Sequence, residues 1–150
     1  MGIEKDFQLS LQTVIQGISG IDSDSVVIND WDVKNKSFDK SPYVIIETAN
    51  DYDMDWQDAV CTTTRFVVPI VILVHFTGWK DAFDKMRDTR HDIVYTLSNN
   101  PRMNGAEIMA VNNTGRIIEL YSPYISEDQI HESLPEFVSQ QLSCVVVKVE

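Results

Sequence analysis

The chain is short of basic residues: 12 lysines and arginines stand against 23 aspartates and glutamates, a net charge of −11 over 150 residues. A nucleic-acid reader neutralises phosphates with lysine and arginine, and a surface of the opposite sign repels them, so this balance argues against a DNA or RNA binder. Cysteine is almost absent. Cys61 and Cys144 stand in unlike contexts with no CxxC or Cys/His spacing, which leaves neither a disulfide framework nor a metal cage. Both are expected as free thiols, Cys144 as a small core residue and Cys61 near a loop. No run is long and apolar enough to cross a bilayer. Met1 to Asp6 carries charge where a signal peptide needs an apolar centre, and Asp6 and Phe7 stand where a myristoylation motif wants a hydroxyl. His75, His91 and His131 have no second histidine or cysteine at a metal-binding interval. A converging set of acids with a nucleophile or metal is also missing, so the reading is of a protein that is not an enzyme and needs no cofactor.

What is present is a core. A hydrophobic fraction of 43% in 150 residues allows one compact domain, 1–150. The acidity is concentrated in two segments: from Gly20 to Val60 ten acids face three lysines, and from Ile117 to Phe137 five acids face no lysine or arginine. The helices are nearly balanced, and the two segments are expected to be solvated acidic surface.

Ile3, Phe7, Leu11, Val14, Ile15 and Ile18 recur at helical spacing, predicting a first helix from Ile3 to Ser19 that ends at Gly17 and Gly20. Val26-Val27-Ile28 is a short β-branched run. A turn-rich stretch with Trp31 and Phe38 as anchors follows, and Pro42 opens a strand from Tyr43 to Thr48. Thr64 to Phe76 reads as a strand of about 40 Å at ~3.3 Å per residue, longer than a small domain needs. Its second half is apolar on both faces, and Pro69 should place it at an edge or in a bulge. A second helix starts at Thr77 or Gly78, carries the stripe Trp79, Ala82, Phe83, Met86, Ile93, Val94 and Leu97, and stops at Asn99-Asn100-Pro101. Asp81 with Lys85 and Asp84 with Arg87 are spaced to pair on its outer face. Asn112-Asn113-Thr114-Gly115 reads as a hairpin turn between Ala106–Val111 and Arg116–Tyr121. The closing strand, Gln140 to Val149, sets Val145, Val147 and Val149 on one face and Leu142, Cys144 and Val146 on the other.

Between the second and third strands, Asp51, Asp53, Asp55 and Asp58 interleave with Tyr52, Met54 and Trp56. Carboxylates at positions one, three and five resemble the start of a calcium loop, but Trp56 stands where the loop needs glycine and Thr62 where it needs a bidentate glutamate. The segment is expected to be an acidic hairpin tip, or a loop that touches a partner with Trp56 as anchor.

The order α, β, β, β, α, β, β, β predicts an α+β fold: a mainly antiparallel sheet of about six strands with two helices packed on one face. Apolar residues left on the other face, Val67, Val71, Leu73, Val145 and Val147, then form a candidate subunit interface.

The same order resembles the tail terminator, or tail completion, proteins of the long-tailed bacteriophages, a family of small neck proteins. The matching parts are the first helix through Ile18, the Pro42-Tyr43-Val44-Ile45 opening, the acidic loop and the strand ending Val71-Ile72-Leu73-Val74. The helix with Met86-Arg87 and Ile93-Val94, the Asn112 hairpin and the Leu142-to-Val147 strand complete the likeness over nearly the whole chain. The resemblance implies a virion protein, assembled in the host cytoplasm. It would form a hexameric ring that caps the tail tube, meets a head-side connector or stopper, and passes DNA through a channel without binding it. Partners would be copies of itself, the tube protein and the connector, with no membrane. The family fixes no residue pattern for the acidic loop; the working expectation is that the sheet's leftover face and the closing strand make the lateral contacts, and that the loop with Asp51, Asp53, Asp55, Trp56 and Asp58 touches a neighbouring ring. Another neck or tail-tube ring component, or a cellular protein-interaction domain, is the alternative expectation.

Overall fold

The computed structural model describes residues 2–30, 41–56, 62–113, 115–120 and 134–149. The expectations for Trp31, Phe38, Asp58, Cys61 and His131 lie outside the described residues.

Helix α1, Ile3–Gln16, buries Phe7, Leu11 and Ile15, a stripe at intervals of four. It ends before Ser19 because its last turn tightens: Gly17 N–H donates to the Val14 carbonyl at 3.2 Å and Ile18 N–H to the Ile15 carbonyl at 3.0 Å. Helix α2, Trp79–Ser98, buries Ala82, Met86, Thr89, Ile93 and Leu97. It starts after Gly78, whose φ of 145° suits glycine. Asn99 ends it in a right-handed conformation, and the Asn100 side chain donates to the Thr96 carbonyl at 2.8 Å. On the outer face Asp84 pairs with Arg87 as expected and also with Lys80 at 3.0 Å. No helix among the described residues is long and apolar enough to cross a membrane.

Among the described residues eight strands form one sheet, so the α+β class holds with more strands than the six expected. They are β1 (Val26–Ile28), β2 (Tyr43–Ile46), β3 (Asp51–Trp56), β4 (Thr62–His75), β5 (Arg102–Met103), β6 (Ala106–Asn113), β7 (Ile118–Leu120) and β8 (Phe137–Val149). The two long strands, β4 and β8, pair antiparallel in unbroken register from Thr63↔Val149 to His75↔Phe137. On the far edge of β4 lie β2 and β3 in line, and on the far edge of β8 lie β6 and β7 in line. β1 pairs parallel with β2, which makes the sheet mixed, and β5 pairs antiparallel with β6. Each half of the chain thus repeats one plan: a helix, a short marginal strand, two strands end to end, and a long strand.

Three local expectations change. The acidic segment Asp51–Trp56 is a strand, not a loop, and its extended backbone pairs Asp51 with Val67, Asp53 with Arg65 and Asp55 with Thr63. Asp-Tyr-Asp-Met-Asp-Trp alternates with period two, the pattern of a strand with unlike faces, and pairing to β4 outweighs the low strand propensity of aspartate. The Asn112 turn does not reverse the chain either. β6 and β7 run the same way along β8, because β8 is long enough to pair with both. The tight hairpin is at Asn104-Gly105, with φ of 50° and 75°, where two residues join β5 to β6. There the Asn104 amide also donates to the Asp6 carbonyl of α1 at 2.7 Å.

Pro69 sits in the middle of central strand β4, without a break in the β4–β8 register. Its carbonyl accepts from Glu47 N–H at 2.9 Å, so its nitrogen also faces the β2 side, opposite the Glu47 carbonyl it cannot serve. Gln8 of α1, itself buried, supplies the missing donor: its Nε2 lies 2.7 Å from that carbonyl. The same junction is held by Glu4, which accepts from Ala49 N–H at 2.6 Å, and by Asn29, which accepts from Thr48 N–H at 2.9 Å. The matching junction between β6 and β7 is held similarly. Gln140 Nε2 donates to the Gly115 carbonyl at 3.1 Å, while Arg90 of α2 donates to Gln140 Oε1 at 2.8 Å.

The main core lies between the helices and one sheet face. Phe7, Leu11 and Ile15 of α1 and Ala82, Met86, Ile93 and Leu97 of α2 cluster with Phe66, Val68, Ile70, Ile72 and Val74, the alternate residues of β4. Phe7 meets Phe66 edge to face with centroids 5.7 Å apart. Cys144 is buried in this core as expected, and burial pushes its thiol up to about 12.

Candidate interaction surface

The face of the sheet away from the helices divides into two parts. At one end Val71 and Leu73 are 4% and 2% exposed and form a second buried cluster with Tyr43, Ile45 and Phe137. Of the five residues expected to be left over, these two are therefore already covered within the monomer. Alternation along β4 gave them the right face but could not show that β2 and the start of β8 bring large side chains beside them.

At the other end, where β3, β4, β8 and β6 lie side by side, the face stays partly open. Val67, Val145 and Val147 are half-buried, and Val149 and Met109 are 61% and 60% exposed. Register places these residues in rows across the sheet: Arg65 beside Val147 and Glu107, and Val67 beside Val145. Asp53, exposed on β3, faces Arg65 across the strands. The result is an apolar stripe down the two longest strands, flanked by single charges of both signs. Between β5, β6 and β8 the stripe opens into a shallow groove of about 310 Å³ lined by Arg102, Glu107, Met109, Val147 and Val149.

Met109 was not singled out by its sequence context. It projects because the β6–β8 register shifts between Ile108 and Ala110, inserting one extra residue, and a bulge of this kind leaves no clear mark in a β-prone run. On the helix side of β3, Tyr52 and Met54 are 50% and 42% exposed, Tyr52 stacking on Phe66 at 5.9 Å. Asp51, Asp53, Asp55 and Trp56 are thus brought onto one strand paired with β4.

Among the described residues no group of three histidines, cysteines or carboxylates is placed to hold a metal ion. A cleft of about 530 Å³ between the C-terminal turns of α1 and α2 is lined by Thr13, Gly17, Ser19, Asp92, Tyr95 and Asn100 among others, a mixture without a nucleophile and base in apposition. What the surface presents is apolar area on the two longest strands, with single charged residues beside it. Neither a protein-family model nor a curated protein sequence matches the chain.

Proposed function

We propose that this chain is a structural assembly protein of the tail terminator type, which forms a ring at the upper end of a phage tail tube and leaves a passage for DNA. The observation that carries the reading is the open half of the helix-free face, where Val67, Val145, Val147, Val149 and Met109 remain partly or largely exposed on adjacent paired strands of the sheet. Apolar area of this kind is stabilised when it leaves water, at about 25 cal/mol per Å², and copies of one chain are the simplest cover for it. A sheet with its helices on one side and largely antiparallel pairing supports the plan, since it leaves the other side for contact. The acidic balance also fits a passage, because DNA sliding past a negative wall is not held there.

The test has two arms. Purified protein is sized by light scattering and imaged by electron microscopy, then incubated with tail tubes and with the head-side connector. Discrete rings that bind the tube end and stop its growth are the expected result. A monomer at every concentration that binds neither component would refute the reading, and filaments grown from the protein alone would move it to the tube itself.

A further inference from the structure

Two strand margins at the wide end of the sheet have no neighbour among the described residues. One is the outer edge of β3, which pairs only with β4; the other is β6 beyond Ile108, whose N–H is the last to be used on that side, donating to the Pro101 carbonyl at 2.6 Å. Such margins present unused N–H and C=O groups that another strand can take up.

The two margins are complementary in shape. β3 displays Tyr52 and Met54 on the helix side of the sheet. Beside β6, on that same side, a groove of about 190 Å³ opens against α2, lined by Val94, Leu97, Ser98, Pro101, Ile108 and Val111 among others. Direction agrees as well. β3, β4, β8 and β6 alternate in sense, so β3 of another copy laid along β6 continues the antiparallel order without turning the sheet over.

Charge separates the possible pairings. Two β3 strands set against each other would oppose one run of three aspartates, Asp51, Asp53 and Asp55, to another, and like charges directly opposite are destabilising. The free part of β6, Met109 to Asn113, carries no acid, and Glu107 just before it has Arg102 across from it. It therefore accepts an acidic strand at less electrostatic cost than a second β3 does.

We propose that β3 of one copy adds to the free margin of β6 of the next, seating Tyr52 or Met54 in the groove beside α2. The contact is head to tail: each copy offers β3 on one side and β6 on the other, so association continues until the assembly closes. This deepens the ring reading above and rests on it.

The experiment uses the full chain and two interface variants. One carries Tyr52→Lys and Met54→Lys together. The other, Ser98→Trp, fills the groove, with Ser98→Ala as the control that leaves it open. All three positions are exposed, and circular dichroism melts verify folding. Each interface variant should weaken self-association at least ~10-fold, about 1.4 kcal/mol, while Ser98→Ala assembles like the parent. Mixing the two interface variants should restore one intact contact, giving a 1:1 heterodimer and nothing larger by native mass spectrometry. If the parent assembles and both variants assemble equally well, this contact is wrong and the ring reading survives. If each variant fails alone and the mixture stays monomeric, the head-to-tail arrangement is wrong. A parent that remains monomeric at all concentrations overturns both.

Discussion

Replacing Gln8 by alanine tests how the sheet tolerates a proline at its centre. The Gln8 amide lies 2.7 Å from the Glu47 carbonyl, which faces Pro69 and can receive nothing from it. Gln8 is 6% exposed and Glu47 half-buried, so the carbonyl freed by Gln8→Ala has only partial access to water. Leaving a buried acceptor unpaired costs about 1–3 kcal/mol, against a net of about 0.5–1.5 kcal/mol for an ordinary hydrogen bond. For a chain of this size the thermal midpoint should fall by roughly 2–4 °C per kcal/mol. Size alone does not prove the mechanism, because lost packing of the glutamine stem also contributes. The discriminating measurement is a double-mutant cycle with Pro69→Ala, read by urea unfolding. Alanine at 69 restores an N–H aimed at the Glu47 carbonyl, so Gln8→Ala should cost about 1 kcal/mol less in that background. Equal costs in both backgrounds, within about 0.3 kcal/mol, would refute the account of Gln8 as the stand-in donor.

Three further outcomes are expected. Gly105→Ala places a side chain at φ 75° and within 3.5 Å of the Lys148 chain, so it should destabilise by about 1–2 kcal/mol in denaturant titration, against a much smaller effect of Gly115→Ala. The buried Cys144 thiol keeps its proton in the fold up to about 12, whereas the unfolded chain releases it near 9.0. Its contribution is therefore constant below pH 9 and is lost as pH rises from about 9 to about 12. In a Cys61→Ser background, labelling by a disulfide reagent at pH 8 should follow unfolding, and rapid labelling of the native protein would contradict its burial. Val147→Lys, on the half-buried stripe, should abolish self-association seen by light scattering while moving the monomer midpoint by less than about 4 °C, roughly 1 kcal/mol.

The helices and the two long strands were legible because each has a strong local period. Phe7, Leu11, Val14 and Ile18 can share a face only in a helix, because a strand would put the first two and the last two on opposite sides, and the β-branched residues of Val145 to Val149 favour an extended chain. Pro69 and the Asn112 turn misled for one reason. Each carries a local rule about hydrogen bonding or turning, and in each case a distant partner removed its force: Gln8 supplied the donor, and the length of β8 kept β6 and β7 in line. The hairpin at Asn104-Gly105 was written in the sequence as the most favourable two-residue turn, but a two-residue strand has no alternation to draw attention to it.

The interaction surface shows the same division. Side-chain alternation determined that Val67, Val71 and Leu73 share one face of their strand and that Val145 and Val147 share one face of theirs; the β4–β8 register put the two sets on the same side. Which of them stay open depended on what lies beside them in space: Tyr43, Ile45 and Phe137 close over one end and not the other. Period and propensity are properties of neighbours along the chain, so the sequence alone determined the elements and their faces. Burial and pairing are properties of neighbours across it, so only the tertiary structure decided the strand order, the fate of Pro69 and the extent of the exposed stripe.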